Sequence, residues 1–177
     1  MKLANLNKIM NEWGKYIVQQ SRTRLTKGKQ NVSSELYRSL KYKIAESKTS
    51  ISVLIEMLDY GKFQDKGVRG KIASPINTKD SPYRYKDKMP PIETIASWAK
   101  KKNIRLRDDK GRFAKGNYNT IGFLIARSIR DKGIKATFFL TRSYQLSNAR
   151  YMPKALRALA QDIGKEIVEN HKQTQTK

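Results

Sequence analysis

Side chains able to carry out chemistry are scarce in this chain of 177 residues. There is no cysteine, which removes disulfide frameworks, zinc–thiolate sites and thiol nucleophiles. The one histidine, His171, lies in a polar C-terminal stretch, and Ser143 and Tyr144 have no imidazole to draw on. Metal-dependent phosphodiester chemistry needs clustered carboxylates. Asp108 and Asp109 are adjacent, but Arg105, Arg107, Lys110 and Arg112 surround them, the setting of solvated turn residues. The run Gly111-Arg112-Phe113-Ala114-Lys115-Gly116 lacks the Gly-Lys-Ser/Thr ending of a phosphate-binding loop. These residues argue against an enzyme, and no cofactor or metal is expected.

Binding chemistry is better supplied. In the segment 79–88, Lys79, Arg84, Lys86 and Lys88 can pair with phosphates or carboxylates. Tyr83 and Tyr85 between them can stack on bases or pack on their own domain, and both readings stand. Arg105, Arg107, Lys110 and Arg112 form a second basic set. No homeodomain, zinc-finger, RNA-recognition or KH signature accompanies them, so sequence-specific reading of DNA is not expected.

The whole chain shares this bias. It has 38 Lys and Arg against 15 Asp and Glu, a net charge of +23. Such a balance costs self-repulsion and points to polyanions or to acidic protein surfaces. The charge is uneven: residues 61–120 hold sixteen bases and six acids, whereas residues 31–60 hold four of each. The basic stretch also holds four of the five prolines. No apolar run has the length of a membrane span and no secretory signal core opens the chain, so a soluble protein without a membrane partner is expected.

The elements that must position the basic sets follow from periodicity. Leu3, Leu6, Ile9, Met10, Trp13, Ile17 and Val18 recur at three- and four-residue steps, which predicts an amphipathic helix over 3–25. Ser33 or Ser34 can cap a single helical turn. Residues 40–45 and 51–58 alternate apolar and polar and read as a hairpin. The second strand is apolar on both faces around Val53-Leu54-Ile55, which predicts a central position in the sheet. A short helix ends at Gly67, and 67–90 follows as a long loop. Pro90-Pro91 opens a helix to about 102 carrying Trp98, 105–118 is a loop, and a helix follows from about 119 to Gly133. Residues 136–140 read as a third strand, and 153–170 as a last amphipathic helix with Pro153 near its start. The sum is an α+β fold: a small antiparallel sheet packed with N-terminal and C-terminal amphipathic helices, plus a basic helical and loop insertion. We expect a single domain over 1–170, with a core of about 1–66 and 119–170, an insertion at about 67–118, and a flexible tail at 171–177.

Several motifs in this order resemble a known family. They are Ser-Glu-Leu-Tyr-Arg-Ser-Leu (34–40), Tyr60-Gly61-Lys62-Phe63-Gln64-Asp65-Lys66-Gly67, and Met89-Pro90-Pro91-Ile92 with Trp98 and Lys102-Asn103-Ile104. Gly122-Phe123-Leu124-Ile125-Ala126-Arg127-Ser128-Ile129 and Gly133-Ile134-Lys135-Ala136-Thr137-Phe138-Phe139 complete the set. The pattern is similar to the tail-completion or neck proteins of tailed bacteriophages, which join head to tail. Glu35 stands where the commonest family form has Gly. The resemblance implies a virion protein at the head–tail interface, assembled in the bacterial host cytoplasm. It implies a homo-oligomeric ring, six- or twelvefold, between portal or adaptor and tail proteins, with genomic DNA in the lumen. The loops 67–90 and 105–118 would then reach neighbouring subunits and order on assembly. The alternative is a basic accessory protein acting directly on DNA or RNA.

Overall fold

The computed structural model describes residues 3–28, 33–47 and 50–175. The protein is α+β. Its chain forms two compact units: 1–27, 35–58 and 139–177 make the first, and 28–34 with 59–138 the second. The boundaries differ from the expected single core, because 59–66 and 119–138 belong with the basic segment between them.

The first unit is built on α1 (Ala4–Lys27), which buries Leu6, Met10, Trp13, Ile17, Val18 and Leu25 along one stripe. The short α2 (Glu35–Ser39) leads into β1 (Lys41–Glu46), paired antiparallel with β2 (Ile51–Glu56). Ile44 faces Val53 and Tyr42 faces Ile55 in the ladder. Ile44, Ile51, Val53 and Ile55 pack on the core that α1 shares with α6 (Phe139–Gln175). Among the described residues this sheet has two strands, so β2 is an edge and Leu54 on its outer face is half exposed, not central as its two apolar faces suggested.

α6 is the largest departure from expectation. It spans 37 residues, about 55 Å, with Pro153 inside it. The expected strand at 136–140 is absent: Phe139 and Leu140 open the helix. Its buried stripe runs Phe139, Ser143, Ser147, Tyr151, Ala155, Ala158, Asp162. Two buried serines break the apolar signal over 139–150, which leaves only the part after Pro153 recognisable from periodicity. Each serine is satisfied locally: Ser143 donates to the Phe139 carbonyl, and Ser147 donates to the Tyr144 carbonyl while accepting from Trp13 Nε1 at 2.8 Å. The helix continues through 171–175, where a flexible tail was expected; 176 and 177 lie outside the described residues.

Two details lock α1 in place. Asp162 reaches the first turn of α1, accepting from the backbone N–H of Leu6 (2.9 Å) and of Asn5 (3.2 Å) and from Asn5 Nδ2 (2.7 Å). A carboxylate there satisfies orphan donors at the positive end of the helix dipole. Burial alone would raise the Asp162 pKa, but the hydrogen bonds from Leu6 and Asn5 outweigh it and hold the carboxyl below its usual range. In mid-helix, Gly14 lies against the Tyr42 ring, and a Cβ there would fall inside that ring.

The second unit contains α3 (Tyr60–Lys66), β3 (Val68–Arg69), a 3₁₀ turn (Ile76–Thr78), α4 (Ile92–Lys101), α5 (Tyr118–Lys132) and β4 (Gly133–Ile134). Small side chains, Ala96 and Ala99 on α4 and Gly122 and Ala126 on α5, let these two helices approach closely. The segment expected as a third strand ends α3 instead: Thr137 and Phe138 donate backbone N–H to the Gln64 and Asp65 carbonyls. Those are orphan acceptors at a helix C-terminus, so capping outcompetes strand formation here.

Asp162→Asn lowers the melting temperature at neutral pH by several degrees. A depressed folded pKa contributes stability that is fully present above the unfolded value near 4 and is lost as pH falls below it through the lower folded value. The acid limb of the wild-type stability profile is therefore flatter in the variant, read by thermal melts from pH 3 to 7. Gly14→Ala destabilises by about 1–3 kcal/mol, the usual cost of overpacking, although alanine is the better helix former. A chemical denaturation curve with an unchanged or higher midpoint would contradict the close approach of α1 and β1.

Candidate functional site

All ten basic and aromatic candidates fall in the second unit, in two local groups. The first stands on β3. Arg69 donates its N–H to the Tyr83 carbonyl (2.9 Å), and Tyr85 donates to the Arg69 carbonyl (2.8 Å). This bridge lays 83–85 alongside β3, whose other side pairs with β4 through Val68–Ile134 and Arg69–Gly133.

The long segment 67–90 is therefore already held in the single chain. Lys71 donates its backbone N–H to the Arg130 carbonyl, and Ile72 and Ala73 both donate to that of Asp131. Ser81 Oγ donates to the Gly67 carbonyl, and Asn77 Nδ2 to that of Ala136. The segment expected to order on assembly thus already has intramolecular backbone hydrogen bonds donated by Arg69, Lys71, Ile72, Ala73, Thr78, Ser81 and Tyr85.

Extended geometry sorts the side chains of 83–86 by parity. Tyr83 and Tyr85 turn inward and are half-buried, whereas Arg84 and Lys86 are exposed. Tyr83 meets Phe63 edge-on, with ring centroids 4.6 Å apart. Burial raises the Tyr85 pKa. The two tyrosines thus pack on their own unit, and the bases form the outer surface. Lys79, which follows the 3₁₀ turn, and Lys88 are exposed as well. Asp87 is paired with Lys71 at 2.7 Å, and that hydrogen bond and charge hold its carboxyl below the usual range.

The second group is a small hairpin at 105–114. Arg107 bridges Phe113, and Ala114 donates its N–H to the Leu106 carbonyl. Asp108 organises the turn: its Oδ1 accepts from the backbone N–H of Lys110 and Arg112, and its Oδ2 from Arg112 Nε at 3.0 Å. Gly111 takes the left-handed conformation the turn requires, with φ at 77°. Asp108 is thus a turn residue, as its basic surroundings suggested. Among the described residues, no group of three or more His, Cys, Asp or Glu stands together in a way that could hold a metal.

Phe113 is the residue that the sequence reading left out of this group. It is 64% exposed, and the guanidinium carbons of Arg107 and Arg105 lie 4.6 and 5.6 Å from its ring centroid. The aromatic ring holds the two cations by its quadrupole and fixes where they point. The signal was present in the sequence: Arg105-Leu106-Arg107 and Arg112-Phe113-Ala114 flank an Asp-Asp-Lys-Gly turn, so they pair when it closes.

Replacing Lys79, Arg84, Lys86 and Lys88 together by Gln leaves cooperative melting intact, because all four side chains are exposed. If these bases meet DNA, the same variant binds it more weakly, and the slope of log K against log salt shrinks by about 0.9 for each base that meets a phosphate. Loss of cooperative melting would assign these bases to the fold instead. Compared with family models, with curated proteins and with solved structures, the chain matches none.

Proposed function

We propose that this chain is a non-enzymatic structural protein of a tailed bacteriophage, acting at the head–tail junction. In this reading copies of the chain close into a ring between portal or adaptor and tail proteins, and DNA passes through it. The observation that supports the assembly part is the number of large apolar side chains left exposed on a chain of charge +23. Ile76 is 98% exposed and Phe113 64%. Leu146, Leu156 and Ile167 are likewise open to solvent. Large apolar side chains left open on so charged a protein support the subunit reading, since protein contacts bury such side chains. The head–tail assignment rests on the ordered motifs from Ser34-Glu35-Leu36 to Phe138-Phe139.

A second reading, a basic accessory protein acting directly on nucleic acid, is favoured by one observation: the exposed Phe113 between Arg105 and Arg107. Aromatic and guanidinium planes of this kind stack on unpaired bases.

Particle assembly without the protein separates the two. The head–tail reading expects unjoined filled heads and tails, or heads that leak DNA, in electron micrographs; normal infectious particles would overturn it. The second reading expects the free protein to bind DNA or RNA with a steep salt dependence, and no ring.

A further inference from the structure

We propose that the open edge of β2 accepts an extended strand from another protein, which completes the sheet over α6. The inference concerns the first unit alone and goes beyond the head–tail reading.

Sheet and helices differ in width. α1 and α6 share one core, and helices pack about 8–10 Å apart. Strands lie about 4.8 Å apart, so two helices side by side call for about four strands above them. β1 and β2 both rest on α1, which leaves the neighbouring face of α6 without a strand. An open groove of about 360 Å³ remains there, between β2 and α6, with α1 closing its base. Ile51, Val53 and Ile55 form one wall, and Tyr144, Met152 and Leu156 the other. The last three are 50%, 41% and 60% exposed. In a chain of charge +23, no charged side chain lines this groove. It suits aliphatic side chains and offers the phosphates of a nucleic acid nothing.

The backbone of β2 decides the form of the occupant. The Ser47 N–H donates to the Ser50 carbonyl, a hydrogen-bonded pair of the hairpin ladder. Such pairs alternate with non-bonded ones in an antiparallel ladder. Lys41–Glu56, Lys43–Leu54 and Ala45–Ser52 are therefore bonded, and Ile51, Val53 and Ile55 turn their N–H and C=O groups to the open edge. Among the described residues, these groups have no partner in the chain. A docked helix satisfies its own backbone and would leave them unpaired. An extended segment pairs with them over about 14 Å and sends every second side chain into the groove.

The edge is also unprotected. Edge strands are commonly blunted by lysine, proline or a bulge. β1 carries Lys41 and Lys43, whereas 51–55 has no charge and no proline, and its ladder runs without a bulge. With a neighbour in place β2 becomes central, the position that suits its two apolar faces. A second copy does not fit here through its own β2, because its α1 and α6 would enter the layer that α6 already fills. The strand comes instead from a partner's extended arm, which has no helices behind it.

The probe is a capped peptide of alternating valine and threonine, added to the full chain with isotope labels for NMR. Binding should saturate below about 1 mM. Hydrogen exchange of the Ile51, Val53 and Ile55 amides should slow at least about tenfold, while the Ser52 and Leu54 amides, already paired, change little. The same peptide with its backbone N-methylated keeps its side chains and should not bind. Val53→Pro should abolish binding and keep the hairpin, since proline is tolerated where an edge N–H is free. Leu156→Arg, at an exposed position, should weaken binding at least about tenfold by bringing a charge into the apolar groove. A circular dichroism melt checks the fold of each variant. Absence of saturation, unchanged exchange at the three amides, or equal binding of the N-methylated peptide would overturn the proposal. Self-association of the chain that Leu156→Arg abolishes would give the groove to a second copy and overturn it as well.

Discussion

The first unit depends on one constraint: the two ends of the chain must pair. α1 and α6 are separated in sequence by the hairpin and by the whole of 59–138, yet they share the main core. The pairing is specified by more than apolar area. Trp13 Nε1 finds Ser147, the Trp13 ring lies near-parallel to Tyr151 with centroids 6.3 Å apart, and Asp162 caps α1 from across the seam. A buried hydroxyl and a buried carboxylate, each with donors at hydrogen-bond distance, fix one register of the two helices, since a shift by a turn would strand both. The hairpin then has a single place to go, with Tyr42 over Gly14 and Val53 and Ile55 on the helices.

The second unit solves a different problem. Its buried side chains are mostly small, among them Ala96, Ala99, Ala126, Ala136, Thr78 and Ser81. Such a core yields less hydrophobic stabilisation than leucine or phenylalanine would, and backbone pairing supplies much of the definition. The 67–90 segment is tied by its own N–H and C=O groups to β3, to the end of α5 and to the strand β4. With part of the backbone paired internally, the segment turns Lys79, Arg84, Lys86 and Lys88 to solvent together with Ile72 and Ile76. Lysines and arginines on a frame already tied by hydrogen bonds can meet a polyanion or an acidic protein at a smaller ordering cost.

The net +23 suggested nucleic acid at first, but the structure divides it: one group sits on the pinned ribbon at 83–88, one on the Asp108 hairpin, and a third lines a groove between α1 and the α2–β1 segment. Only the third was outside the basic stretch of the sequence, because its members come from positions 15, 22, 27 and 41 and are scattered along the chain.

By itself, the sequence determined the elements whose signal is local. The apolar stripe of α1, the alternation of the hairpin, the Pro-Pro start of α4 and the Asp-Asp-Lys-Gly turn are each written within a dozen residues, and each formed as read. The parity of Tyr83 and Tyr85 was legible only once 83–85 was known to be extended beside β3, since packing and base stacking were equally open before that. Tertiary structure alone decided the rest. α6 begins at Phe139, well before Pro153, and its buried Ser143 and Ser147 are satisfied on that helix, one by its own turn and one also by Trp13, which no apolar period announces. Residues 136–138 cap α3 instead of forming a strand because two orphan carbonyls, more than seventy residues earlier in the chain, needed their N–H groups. Local periodicity reports what a segment prefers; the partners that satisfy its buried polar groups come from elsewhere in the chain, and they settle where the element begins, ends or fails to form.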